Sequence, residues 1–312
     1  MIHTRPLATV PCPSDNSYLY ANVRMQATVH TLCLLALLSL CACSADASTT
    51  TLRFSAIPNE NATLLRQKYD PVAEYLTEKL GVQVEYVPAA DYQASVAMFV
   101  NGEIQMAWFG GFTGVQARNK VQGARAIVKG AKDAEYKSYF IVPKGSELTK
   151  SDEFPVSAAG KRFSFGSQSS TSGRLMPEYF IRQATGKTPD EFFSEVSYSG
   201  SHDNTITAVK DGNWDIGVVD FGVYDGKIAD GSLTVEDCPV IWETPSYADY
   251  QFTIRPDLEA TLGVGIEEKL ATALLEMGPE LTEAFRRDKM VPATNEDFAG
   301  ILDVALKLEM IK

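Results

Sequence analysis

From Thr51 to the C-terminus, short apolar runs alternate with helical segments that carry their own start and stop signals. This alternation is the tightest constraint on the chain, because it specifies an α/β fold with a largely parallel sheet. Residues 52–57 (LRFSAI) read as a strand. Asp70 and Pro71 supply an N-cap and a first-turn proline, Val72, Tyr75, Leu76 and Leu80 share one face, and Gly81 is the stop. Residues 82–87 are the next strand, Asp91 caps a helix through Val100, and residues 104–109 (IQMAWF) form a strand running into Gly110-Gly111. Strands follow at 125–130 and 138–143, then a polar stretch to Lys161. A second series opens with residues 162–167 (RFSFGS), a helix starting within SSTSGRLMPEYF, a helix from about Asp203 to Lys210, and a strand at 214–220 (WDIGVVD). Strands at 240–245 and 250–256 return the chain. The tail is helical, with Asn295 placed to cap a last helix around Phe298 to Leu308. Two α/β lobes joined by strands explain this order better than one long sheet. The expected division is residues 48–140 plus 245–312 for the first lobe and 141–244 for the second.

Residues before Thr51 read differently. Thr31 to Cys43 (TLCLLALLSLCAC) is the longest apolar run, yet shorter than the roughly 20 residues a membrane-spanning helix needs. Small residues follow at once, so the run reads as the core of an export signal within a leader of residues 1–47, with Met25 as an alternative start. Ala45-Asp46-Ala47 fits a cleavage site. Leu40 to Cys43 fits a lipobox, which would place a lipid on Cys43 and tether the protein to a membrane. Only Cys238 and His202 remain beyond the leader, which excludes an internal disulfide and disfavours a His/Cys metal site.

The formal charge is −12, from 40 acidic against 28 basic residues. A chain so acidic is a poor partner for nucleic acid or an anionic membrane, both of which need a basic face. It can still hold one small anion, and Gly166 to Gly173 (GSQSSTSG) is built for that. The run lies between a strand and a helix, where hydroxyls donate, the first helical N–H groups lack internal partners, and the helix dipole is positive. A simple N-cap would need one serine. No Gly-Lys-Ser/Thr for a nucleotide loop occurs, and G-x-S-x-G for a hydrolase elbow is missed.

These residues also carry a resemblance. Ala90-Asp91-Tyr92, the strand end at 104–110, Tyr136 to Val142, Ser169 to Pro177, Ser199 to Asp203, Val240 to Trp242 and Asp249 together resemble the phosphonate/phosphite/phosphate-binding proteins of ABC transporters (PhnD-like). The wider texture is most similar to a selenate-binding branch of that family. The resemblance implies a type II periplasmic binding fold, with a ligand cleft between two lobes joined by a strand hinge. It implies oxyanion contacts at Tyr92, Ser169, Thr171, Ser172 and His202, with Ser170, Gly110 and Asp249 beside them. The family's second aromatic falls on Phe109, which can wall a pocket but cannot donate a hydrogen bond. Of the two acids that recognise an amino group in this family, one matches Asp249; the other falls on Gly222, with Asp220 or Asp225 as shifted alternatives. That pattern favours a small inorganic oxyanion.

The expected function is therefore a monomeric, non-enzymatic periplasmic receptor that needs no cofactor or metal and delivers a small oxyanion to an ABC permease and its ATPase. Two other classes stand beside it: an oxyanion-sensing receptor for a sensor kinase, and a serine hydrolase using Ser169, His202 and Asp249.

Overall fold

The computed structural model describes residues 51–311, so the leader, both processing sites and Cys43 lie outside the described residues. The first series comprises β1 (Leu52–Ala56), α1 (Ala62–Leu80), β2 (Val84–Tyr86), α2 (Tyr92–Val100), β3 (Met106–Phe109), α3 (Gly111–Lys120) and β4 (Arg125–Gly130). The second comprises β5 (Ser138–Ile141), β6 (Arg162–Phe165), a π-helical turn (Thr171–Leu175), α4 (Met176–Thr185), α5 (Pro189–Phe192), β7 (Glu195–Tyr198), α6 (His202–Lys210), β8 (Ile216–Asp220), α7 (Phe221–Ala229) and β9 (Val240–Glu243). The chain then returns through β10 (Gln251–Ile254), α8 (Leu258–Leu262), α9 (Ile266–Leu275), α10 (Pro279–Thr282), β11 (Met290–Pro292) and α11 (Ala299–Lys307).

Among the described residues these strands make two sheets, a six-stranded one ordered β11-β4-β10-β3-β1-β2 and a five-stranded one ordered β7-β6-β8-β5-β9. Both are mixed rather than largely parallel. The β1–β2, β1–β3, β6–β7 and β6–β8 pairs are parallel, whereas β10 runs against β3 and β4, and β5 against β8 and β9. The reason is the crossing itself. β5 and β10 each enter a new sheet from the side where the other sheet lies, opposite to strands that grow toward it. The two crossing segments touch through an antiparallel bridge, with Tyr136 N–H to Tyr247 O at 2.8 Å and Tyr247 N–H to Tyr136 O at 3.0 Å. The carboxyl ends of β1, β3, β6 and β8 consequently face the gap between the sheets, where open α/β sheets place ligands.

Local chemistry accounts for most element ends. The Asp91 carboxylate accepts the Ala94 N–H at 2.7 Å, and Gly81 stops α1 in the left-handed conformation with φ of 70°. One start differs from expectation. α1 begins nine residues before Pro71, capped by Asn61, whose side chain accepts the Thr63 N–H at 2.9 Å. Leu65, Tyr69, Val72 and Leu76 form one buried stripe through the proline, so burial outweighs the hydrogen bond that Pro71 cannot make. Asn295 likewise is not the cap of the last helix. Its side chain accepts the Ala126 N–H at 2.9 Å, and Thr294 with Asp297 closes the capping box. The first sheet packs on Phe54, Phe99, Trp108 and Phe252, and the second on Phe140, Phe163, Phe165 and Trp242. Each such side chain contributes about 1.5–3 kcal/mol when fully buried. No described helix is long and apolar enough to cross a membrane.

Candidate anion-binding cleft

The serine-rich turn after β6 is not a regular helix start. Thr171–Leu175 is a π-helical turn in which Leu175 N–H reaches back to Ser170 O at 3.0 Å, while Ser170 Oγ accepts the Gly173 N–H at 2.9 Å. π-turns of this kind recur at functional positions because they redirect side chains. Glycine eases the packing here. A Cβ on Gly173 would stand 3.1 Å from His202 Cε1 and 3.2 Å from Gly166 Cα, so a larger residue would push the turn, the β6 end and the imidazole apart by a few tenths of an ångström. Ser169, Ser170, Thr171 and Ser172 are all buried.

His202 is the first residue of α6, behind the cap formed by Ser201 Oγ and the Asn204 N–H at 3.2 Å. Its Nδ1 accepts the Asp220 N–H at 3.2 Å. Burial holds the imidazolium below its ordinary pKa, with the Asp220 and Asp203 carboxylates opposing, so the ring is neutral at pH 7. A neutral ring with Nδ1 accepting carries its proton on Nε2, an assignment that follows from the network. That Nε2–H is fully buried without a hydrogen-bond partner, 3.8 Å from Asp220 Oδ2. Tyr92, the first residue of α2 on the other side, presents a second such donor. Its hydroxyl is buried beside Ser170 without a hydrogen bond of acceptable geometry. Burial, then the charges of Asp220 and Asp249, push its pKa well above 10, so the proton stays on.

Asp249 lies on the returning crossing segment. Its Oδ1 accepts the Gly111 N–H at 2.6 Å and the Tyr250 N–H at 3.0 Å, which occupies the first N–H of α3. Thr171 Oγ1 accepts the next one, from Phe112, at 3.0 Å, bridging the two sides. Gly110 permits this approach, since a Cβ there would meet Thr171 Oγ1 at 3.1 Å and Asp249 Oδ1 at 3.2 Å. Burial raises the Asp249 carboxyl to a pKa of about 7, against the Gly111 and Thr171 hydrogen bonds that lower it. Asp220 behaves oppositely. Burial pushes it up, but the hydrogen bonds it accepts from the Val223 N–H and the Tyr250 and Tyr136 hydroxyls pull it down, to below the ordinary aspartate value. Its Oδ1 accepts from Val223 at 2.7 Å and its Oδ2 from the Tyr250 hydroxyl at 2.8 Å.

The cleft thus gathers neutral donors from hydroxyls, an imidazole and a helical turn, with one carboxyl poised to hold or release a proton near pH 7. A buried cation stands behind it: Arg287 bonds Asp133 through Nε at 2.8 Å and lies over the rings of Tyr250, Tyr136 and Trp108 at 4.9, 5.2 and 5.7 Å. Among the described residues no group of three or more His, Cys, Asp or Glu could hold a metal.

A family profile described as "ABC transporter, phosphonate, periplasmic substrate-binding protein" matches residues 54–298. The chain belongs to this family. Members are substrate-binding proteins of ABC transporters, not enzymes, and work with a membrane permease and its ATPase. One relative, a probable ABC transporter phosphite-binding protein PhnD1 of Prochlorococcus marinus, is 32% identical over 84% of this chain and 91% of its own. Another, the phosphate-import protein PhnD of Mycolicibacterium smegmatis, is 30% identical over 71% of this chain and 70% of its own. A crystal structure of P. marinus PhnD1 in complex with methylphosphonate superposes with a TM-score of 0.80 at 31% identity, covering 85% of this chain and 100% of that one.

Within this family member, the residues expected from sequence fall in two groups. Tyr92, Gly110, Ser169, Ser170, Thr171, Ser172, His202 and Asp249 all lie in or against the cleft, contributed by both series of elements. The Phe109 ring packs edge-on against Phe99 in the first core, with centroids 5.5 Å apart. Gly222 faces the Tyr136 hydroxyl, 3.1 Å from where a Cβ would stand, and the neighbouring acid is Asp220 rather than Asp225. Sequence reasoning did not place Tyr136 or Tyr250 beside the site. For the two tyrosines the usable signal was their position on the crossing segments.

Proposed function

We propose that this receptor closes on a small tetrahedral phosphorus oxyanion, phosphite or methylphosphonate in kind, in the space between Tyr92, Ser169–Ser172, His202 and Asp249. The observation that carries this reading is the pair of buried donors, Tyr92 Oη and His202 Nε2, which find no partner within the protein. Unpaired buried donors cost about 1–3 kcal/mol each, a cost that an oxyanion accepting both would remove. A closed cleft strengthens these neutral hydrogen bonds by excluding water, so no lysine or arginine contact is needed. Asp249 supplies the complementary acceptor for a protonated ligand oxygen. Gly222 stands in place of a second acid, and the neighbouring Asp220 carboxylate is already engaged by the Val223 N–H and the Tyr250 hydroxyl, which argues for ligands without an ammonium group. The names of the relatives point the same way. Residues 1–47 act as the export leader in this reading, and residues 141–244 as the second lobe.

Thermal-shift and calorimetric titration with phosphite, methylphosphonate, phosphate, sulfate, selenate and 2-aminoethylphosphonate tests the proposal. Ligand at about a hundredfold over its Kd stabilises the folded state by about 2.7 kcal/mol, a shift of about 5–10 °C for a chain of this size. A phosphorus oxyanion should give that shift while 2-aminoethylphosphonate gives the weakest response among the phosphonates. If no phosphorus oxyanion shifts stability, the assignment is wrong.

A further inference from the structure

The two ends of the cleft differ in what lies beyond them. Past Asp220, the side chains of Tyr136, Tyr250, Arg286 and Arg287 leave a space of about 10 Å³, room for one water molecule. Its charges are already matched: Glu60 holds Lys68 at 2.7 Å and pairs with Arg286, and Asp133 holds Arg287. Past Ser169, in contrast, a groove of about 310 Å³ opens to solvent, lined by Gln168, Arg174 and Tyr198 among others. Of these two spaces, only the one beyond Ser169 has room for a substituent on the ligand phosphorus.

One side chain stands in that path. Gln93 follows Tyr92 on the first turn of α2, so consecutive residues place the Tyr92 hydroxyl inside the cleft and the Gln93 amide at its mouth. The Gln93 Nε2 donates to Ser169 Oγ, from the opposite side of the gap. We propose that Gln93 is a specificity-determining gate: its amide, seated on Ser169, plugs the passage from the oxyanion cradle to the outer groove and limits the phosphorus substituent to a hydrogen or a methyl group. This rests on the phosphorus-oxyanion reading above. The plug is steric.

Gln93 is exposed on a helix surface, so its replacement leaves the fold intact. Calorimetry with methylphosphonate and n-propylphosphonate on the wild type, Gln93→Ala and Gln93→Met tests the gate. Methionine matches glutamine in length but lacks the amide. In the wild type propylphosphonate should bind far more weakly than methylphosphonate. In Gln93→Ala the ratio of the two dissociation constants should fall by about tenfold or more, since added methylenes in a tight pocket discriminate on that scale. Gln93→Met should keep the wild-type ratio. An unchanged ratio in Gln93→Ala, or a ratio relaxed equally in Gln93→Met, overturns the gate while leaving the ligand class standing. A wild type that binds neither compound overturns both.

Discussion

Asp249→Asn is the perturbation whose outcome the structure constrains most closely. Asparagine keeps the shape and keeps an oxygen for the Gly111 and Tyr250 N–H groups at 2.6 and 3.0 Å, so packing is preserved and only the ionisable proton is lost. The wild-type carboxyl has an ordinary pKa of 3.8 in the unfolded chain and about 7 when buried in the cleft. A folded-state pKa above the unfolded one means that the native protein binds the extra proton. Its stabilising effect is therefore complete below pH 4 and is lost as pH rises through about 7. At about 1.4 kcal/mol per pH unit, the whole difference is about 4 kcal/mol. That figure is a ceiling, because any opening of the cleft lets water reach the carboxylate. Urea unfolding of the ligand-free wild type and variant, at intervals from pH 4.5 to 8.5, is the assay. The wild type should lose stability relative to Asp249→Asn by up to about 1.4 kcal/mol per unit until pH 7, and the difference should then level off. A difference that stays constant over the whole range refutes the claim that Asp249 is a buried, high-pKa acid.

Tyr92→Phe separates binding from folding: removing an unpaired buried hydroxyl should leave ligand-free stability equal or slightly higher, while the Kd for methylphosphonate rises about tenfold or more, as measured by thermal denaturation and calorimetry. Gly114→Ala tests how the Gly110 loop is held. A Cβ there would fall 1.8 Å from Gln251 Nε2, which donates to Gly110 O at 3.2 Å, so the variant should be destabilised by about 1–3 kcal/mol in urea and bind more weakly as the loop shifts.

Much of this was legible in the sequence because the signals were local. The Asp91 cap, the Gly81 stop and the strand ends at Phe109 and Asp220 are each set by a few neighbouring residues, and the hydroxyl run marked the turn after β6 without help from the fold. What escaped was set at a distance. Pro71 looked like a helix start because its missing N–H is cheapest there, but the buried stripe of Leu65, Tyr69 and Val72 carries the helix across it. Phe109 and Trp108 alternate along β3, and their partners, Phe99 for one and Tyr250, Phe252 and Phe285 for the other, come from distant elements that no motif records. The acid Asp220 was visible only as one of two shifted alternatives, since its role depends on Tyr250 and His202, residues 30 and 18 positions away. The π-turn was invisible for the same reason: an N-cap serine announces a helix start, not its winding.

The position of β10 bears on how the chain is assembled. It lies in the middle of the six-stranded sheet, between β3 and β4, yet it is formed by Gln251–Ile254, after the whole second sheet has been laid down. Until then β3 and β4 flank a gap one strand wide, and the cleft lacks Asp249. The first sheet therefore cannot close on a partly made chain, and its long sequence separations favour slow completion. The six-stranded sheet is thus completed only by residues that follow the whole second sheet in the chain.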